Sequence, residues 1–442
     1  LGEIGSVTVQ TFNAFDSKNV DPPDNRFEPA DRVSIFNAAT LSALAVFSMT
    51  LLHLARNIST AYYFVWLSAV AAFIIFWIRS GKLEAKRNLF FLAIIGLFLY
   101  SCILSYYWSN SFGDPTIGIL RLGFIIPAVL CITYTQTNRE FDAFCSLWLG
   151  FVILAALSLP LQFVVGPISW FSESFERVGV ERFGSLAGSL TTFGNIVGTA
   201  AFIAAMRVRK IHYLIFIISL LMLAAVLSLQ KAAVASLGIA FLSILVARRF
   251  KFLHSIMFIT SITFIVLLAF YVSDYQTRGT ILLLFGNFAG SVDVSQASDV
   301  SIIQGASDRV FELPEVAFLF YGSDAVFAGI GVFGGSGSLG YPSLPHTHNL
   351  VGELILLFGL VPGALVVIFV LVNLVRSLFI ILNLRKKYDG RSVLAAGILI
   401  NITIPTIFSG ALLYHPVGGT IFWVAIFQLY YYQKRRFRGS SG

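Results

Sequence analysis

Residues 345–371 read PHTHNLVGELILLFGLVPGALVVIFVL. From Leu350 to Leu371 the run is apolar, with one carboxylate, Glu353. About 20 such residues are what a helix needs to cross the hydrocarbon layer of a bilayer. The front end differs in kind, because His346, Thr347, His348 and Asn349 crowd polar and ionisable groups onto the point where chain meets lipid. Groups of that type are expensive at such depth and mark sites more often than they fill space.

Working outward, roughly twelve runs of this kind succeed one another along the chain. They are Ile35–Leu54, Ala61–Ile78, Leu89–Trp108, Thr116–Tyr134, Phe144–Val165, Ser185–Met206, Tyr213–Leu229, Ala232–Val246, Leu253–Val272, Leu350–Leu371, Val393–Leu413 and Gly418–Tyr432. Only 12% of the 442 residues are charged and 57% are hydrophobic, and the mean hydropathy is +0.83. A transmembrane barrel would alternate apolar and polar residues over segments of about 10 residues, and these runs do not. The expected fold is an all-α polytopic membrane protein with about 12 transmembrane helices. Its expected parts are a cytoplasmic tail over 1–33, helices 1–9 over 34–272, a long outer loop over 273–345, helices 10–12 over 346–433, and a basic cytoplasmic tail over 434–442.

The net charge is +8, but its placement argues against nucleic acid. Basic residues gather on every second connection: Arg79, Lys82, Lys86 and Arg87; Arg207, Arg209 and Lys210; Arg248, Arg249 and Lys251; Arg385, Lys386, Lys387 and Arg391; and Lys434, Arg435, Arg436 and Arg438. The positive-inside rule puts these in the cytoplasm, with both termini. Arg177, Arg182, Lys231, Arg309, His346 and His348 then face outward. The three cysteines, Cys102, Cys131 and Cys145, lie in apolar runs and read as small buried hydrophobes. The opening segment lacks the basic-then-apolar order of a signal peptide. The closing Gly439-Ser440-Ser441-Gly442, and a first residue other than Met, read as cloning remnants.

There is no evident internal repeat, which counts against a transporter built from two related halves. Two outer loops are long, Gly166–Gly184 and the stretch from Ser273 to Pro345. Loops of that length usually carry function. The second contains helix-like runs at Ile281–Phe285 and Leu313–Tyr321, then turns Gly-rich through Gly329-Ile330-Gly331-Val332-Phe333-Gly334-Gly335. It is expected to fold as a helical cap over the outer face.

Chemistry-bearing residues concentrate on that face. Arg177 and Arg182 occupy one loop, Arg309 the other, Lys231 opens the eighth run and Arg121 lies just inside the fourth. A loop arginine is often decorative, and Arg121 has the alternative of snorkelling outward. Several cations meeting in one wet cavity would suit a diphosphate, which guanidinium groups grip bidentately. Asn349 or Thr347 is explained by a helix cap, but a cap does not explain two imidazoles. Histidine is the side chain best matched to proton transfer near neutral pH. Glu353, one turn into the run, is expected to be a buried carboxylate with His348 or an arginine as its partner. His53, His212 and His254 read as structural, and His415 is ambiguous. No phosphate-loop or dinucleotide pattern and no metal-ligand cluster is evident.

His348-Asn349 followed by Gly359 and Gly363 resembles the His-Asn signature of the O-antigen ligase and polymerase superfamily, multispan glycosyltransferases of the bacterial inner membrane. Arg182-Phe183-Gly184 with Phe193-Gly194-Asn195 is similar to the family's loop arginine leading into a helix. Ser307-Asp308-Arg309 with Gly329-Ile330-Gly331 resembles its second arginine and Gly-rich turn. Lys231, in Ser228-Leu229-Gln230-Lys231, falls where members carry Ser-Arg, and Pro362 stands where Gly, Thr or Tyr is common. The resemblance spans the region from Arg177 to Gly363 and implies a GT-C-like fold with a periplasmic active site.

It further implies a glycan donor on undecaprenyl diphosphate, with lipid A core or a second lipid-linked glycan as acceptor. Neither cofactor nor metal is expected. His348 or His346 would act as base, Asn349 and Glu353 would orient that ring, and Arg182, Arg309, Arg121, Lys231 and Arg177 would bind the diphosphate. The expected activity is an inverting O-antigen ligase. The alternatives are a polymerase of O-antigen, capsule or exopolysaccharide, working with a chain-length regulator, and a lipid-linked glycan flippase. Arg177 followed by Gly188 resembles a polymerase loop pattern, but the His-Asn spacing is closest to the ligases.

Overall fold

The structure is a computed structural model that describes residues 85–112, 138–168, 174–177, 180–187, 190–208, 210–228, 230–248, 311–331, 347, 349–382, 390–408 and 416–439. All of them belong to one compact unit, Ala38–Gly442. The apolar runs fold as helices: α1 (Ala85–Tyr107), a one-turn α2 (Ser109–Phe112), α3 (Asn138–Val165), α4 (Leu190–Arg207), α5 (Ile211–Leu227), α6 (Lys231–Arg248), α7 (Glu312–Tyr321), α8 (Ser323–Ala328), α9 (Leu350–Phe358), α10 (Leu360–Leu382), α11 (Gly390–Ile407) and α12 (Pro416–Gly439). Between α3 and α4 stand β1 (Ser174–Arg177) and β2 (Val180–Phe183), an antiparallel hairpin. The expected runs Ile35–Leu54, Ala61–Ile78, Thr116–Tyr134 and Leu253–Val272, and the helix-like Ile281–Phe285, lie outside the described residues.

Three helical stretches among the described residues are long and apolar enough to cross a membrane: Phe141–Gln162, Leu360–Leu382 and Gly390–Ile407. The protein is thus a mainly helical chain with the spans a membrane protein requires. The α10 surface shows the expected pattern. Leu365, Ile368, Val372, Val375 and Phe379 form an exposed apolar stripe at helical spacing, while Asn373 and Ser377 point inward and are buried. Apolar outside with polar inside is the arrangement lipid favours.

Two sets of contacts fix the helix directions. In the first turn of α3, Asp142 Oδ2 accepts from Arg391 Nε (3.1 Å) and Nη2 (2.8 Å) at the start of α11. Arg207, at the end of α4, donates to the Asp142 carbonyl and lies 3.7 Å from its carboxylate. The starts of α3 and α11 and the end of α4 therefore share one end, the basic end. Near the far end of α3, Gln162 Nε2 donates to Gly184 O (2.9 Å) and Ser158 Oγ accepts from Leu186 N (2.9 Å), tying down the chain just before α4.

Close packing comes from small residues. Gly198 of α4 donates its N–H to Ser236 Oγ of α6 (3.1 Å), and a Cβ at Gly198 would stand 2.5 Å from Ser236 O. This is the close backbone approach that small-residue spacing permits in membrane helices. Gly194 one turn earlier packs on the first residues of α6, so α4 and α6 run in the same direction. The core between them and α3 is aromatic. Trp148 is buried with Phe144 and Phe151 and donates its Nε1–H to Thr199 Oγ1 (3.0 Å), the partner a buried indole needs.

One expectation is corrected. Leu350–Leu371 is not one helix: the chain breaks at Gly359, whose φ of +88° ends α9. A Cβ at Gly363, in the first turn of α10, would lie 2.6 Å from Leu354 O, so α10 packs back against α9. Nine residues of helix reach only about 13 Å, too short to cross. The loop Gly166–Gly184 contains a two-stranded hairpin within the otherwise helical fold. The last helix runs to Gly439 and so takes in most of the basic C-terminal segment.

Candidate active site

Asn349 begins the site. Its backbone is extended (φ −137°, ψ 155°), and its Oδ1 accepts from Gly352 N at 2.6 Å, which makes it the N-cap of α9. Asparagine caps because its short side chain reaches the orphan amides of the first turn. The other end of the amide donates to Thr347 O (3.4 Å), and Thr347 Oγ1 donates to Asn349 O (3.3 Å). Thr347 also packs over Gly352, where a Cβ would stand 2.7 Å from Thr347 Cβ. Thr347 and Asn349 are buried. The backbone on either side of His348 is therefore held by local bonds.

Glu353 stands in the first turn of α9, where its negative charge suits the helix dipole. It is half-buried rather than fully buried as expected: a first-turn carboxylate lies beside the open end of its helix.

The far end of α9 is fixed by the Gly-rich turn. Ile330 N donates to Leu356 O (2.7 Å) and Gly331 N to Leu357 O (3.2 Å), satisfying carbonyls that the helix end leaves without partners. Gly329 and Gly331 have φ of +90° and +71°. A Cβ on Gly331 would meet Ser101 O at 2.3 Å. Tyr100 OH donates to Ala328 O (3.2 Å) and Trp108 Nε1 to Gly329 O (2.9 Å), pinning the turn to α1. Gly359 lies against the same turn: its Cβ would be 2.5 Å from Ala328 O. The two glycine motifs, far apart in sequence, thus form one joint. Tyr321 packs beside Ile330 and Leu356. Burial pushes its phenol up to about 12.

The cationic residues are placed by backbone. Arg182 pairs with Phe175 across the hairpin, and Arg177 pairs with Val180 at its tip. The hairpin leads through the Gln162 and Ser158 anchors into α4. There Phe193 is buried and Gly194 abuts α6, with its Cβ position 2.7 Å from Gln230 Oε1 and 3.2 Å from Ala233 N. Lys231 is the first residue of α6. The structure therefore brings Gly194 against Gln230 and the opening residues of α6, at the end of the bundle opposite Asp142.

Gln230 was quoted in the sequence motif but given no role. It is buried, and its Oε1 has no hydrogen-bond partner among the described residues. Its one mark in the sequence is its place beside the helix-opening Lys231. His346, His348, Arg309 and Arg121 lie outside the described residues.

No protein-family description matches this chain, and no curated protein sequence is significantly similar to it.

Proposed function

We propose that the chain is a membrane-embedded glycosyltransferase that moves a glycan from undecaprenyl diphosphate to an acceptor sugar hydroxyl, as an O-antigen ligase acting on lipid A core. The observation that carries this reading is the built platform around the His-Asn element. Thr347 and Asn349 are buried and bonded, α9 is too short to span, and the Gly329–Gly331 turn braces its other end. A structural cap needs one asparagine; it does not need a short helix braced at its far end by a second glycine motif.

In the proposed reaction, the base is His348, with His346 as the alternative. It takes the acceptor hydroxyl proton as that oxygen attacks the anomeric carbon. The bond from that carbon to the phosphate oxygen breaks, and the diphosphate leaves with the electron pair. Arg182 and Arg309, with Arg177, Arg121 and Lys231, stabilise the charge that builds on it. Single displacement inverts the anomeric centre. Asn349 and Glu353 act as positioning residues, the first through the cap it forms. The basic end faces the cytoplasm and the site faces the periplasm of a bacterial inner membrane.

His348→Ala is expected to abolish transfer while leaving donor binding near wild type, and Arg309→Ala to weaken both. Transfer at the normal rate in His348→Ala and in His346→Ala would remove the base. A flippase would also tolerate both changes. Incubating the purified protein with lipid-linked glycan, with and without lipid A core, separates the remaining readings. A single shift of the core means ligase, and a ladder of lengths means polymerase.

A further inference from the structure

The helices α7 and α8 have two faces. Pro314 is buried, and Ala317, Tyr321 and Ala325 turn inward against Ile330, Leu356 and Trp108. Val316, Leu319 and Phe320 turn outward, with Phe311 before them and Phe327 after; Leu319 is 76% exposed and Phe327 64%. The exposed polar side chains Glu315, Ser323 and Asp324 are interspersed among these.

The ties to α1 set the height of this surface. Tyr100 and Trp108 both bond the chain where α8 ends, so α8 stands beside the last two turns of α1 rather than beyond them. Those turns expose Leu99, Ile103, Tyr106 and Tyr107, a stripe at helical spacing. Tyrosine and tryptophan concentrate where lipid meets water. The end of α8 is therefore held at the level of that stripe.

We infer that α7 and α8 form an interfacial anchor whose apolar face lies in the boundary layer of the bilayer, against lipid, and is not the water-exposed surface of a cap. With ten residues in α7, the helix spans about 15 Å, enough to lie in the boundary but not to cross. Residues 311–331 contain Glu312, Glu315 and Asp324 and no lysine or arginine. Insertion is therefore driven by apolar burial and gains nothing from anionic lipid. The inference rests on membrane embedding alone and is independent of the glycosyl-transfer reading.

The test uses the full native chain in phosphatidylethanolamine vesicles carrying a lipid with a photoactivatable group near its glycerol end. After irradiation, adducts are expected on peptides covering Val316–Phe320 and Phe327. Their yield is expected to stay unchanged when half the lipid is replaced by phosphatidylglycerol. Adducts on α3 and α10 with none on 311–328, or adducts that appear only with anionic lipid, would overturn the anchor. Nitroxides at positions 319 and 324, in a chain with Cys102, Cys131 and Cys145 replaced, give a second measure. Oxygen collisions should exceed those with a water-soluble nickel complex several-fold at 319, and the order should reverse at 324. Preference for nickel at both positions means a solvated cap. Protection from both reagents at 319 means cover by a second copy, which is equally fatal.

Discussion

Gly359 holds a backbone conformation that L side chains rarely adopt, and it does so against another backbone. Its φ is +88°, and a Cβ there would sit 2.5 Å from Ala328 O. A carbonyl within a short helix cannot swing aside as a side-chain tip can. Gly359→Ala is expected to lower stability by the conformational penalty, about 1 kcal/mol, plus the displacement of the joint, and to abolish transfer. Gly166→Ala is the matched control: its φ is +86°, but its Cβ would meet nothing within 4 Å. Thermal unfolding in detergent should show a clearly larger shift for Gly359→Ala; equal shifts would mean the joint is not tight. Asn349 allows a similar separation. Asn349→Ala is expected to cost about 1 kcal/mol through the lost cap, while Asn349→Asp keeps a capping oxygen. If stability returns in Asn349→Asp and transfer rate returns with it, the residue acts through the cap. A restored melting temperature with transfer still lost would place its amide nitrogen in the chemistry. The glycines were legible in the sequence as a pattern, and Asn349 as a cap. What their spacing was for was not legible, because contact between Gly359 and Ala328 joins the ends of two different helices.

Hydropathy cannot see a chain break inside a continuous apolar run, and this decided which elements the sequence disclosed. Leu350–Leu371 reads as a single span because leucine and valine are equally at home in α9 and α10. Only the positive φ at Gly359 and the contact at Gly363 reveal two helices. Charge, by contrast, marked the helix ends faithfully. Arg207 ends α4 and Arg391 stands at the start of α11, and both reach Asp142. The carboxylate itself passed unnoticed, since Asp142 and Arg391 are 249 residues apart. Asp142 joins three helices by leaving two guanidinium groups one shared counter-charge. Asp142→Asn is expected to destabilise modestly, by about 1 kcal/mol at most, because the groups remain partly solvated. The penalty should shrink when Arg391→Gln is made as well. A double-mutant cycle by chemical unfolding in detergent measures this coupling, and additive losses would show that the bridge contributes nothing.

For the molecule as a whole, the decisive quantity is which face the basic end presents. Contacts fix the relative directions: α3 and α11 start, and α4 ends, at the Asp142 cluster. The hairpin anchors and the start of α6 lie at the opposite end. Lipid-linked glycans are transferred on the outer side, so the proposed chemistry requires the basic end inside, as the charge distribution favours. Two exposed positions report on this directly: Ser323 opens α8, and Gly390 opens α11 next to Arg391. In a chain with the native cysteines replaced, Ser323→Cys should react with a membrane-impermeant maleimide in intact spheroplasts. Gly390→Cys should react only after permeabilisation. A reversed pattern would turn the hairpin, Lys231 and the Asn349 platform toward the cytoplasm, where nucleotide-activated sugars are the ordinary donors. The lipid-diphosphate reading would then fail, while the helix packing and the α9 joint would stand unchanged.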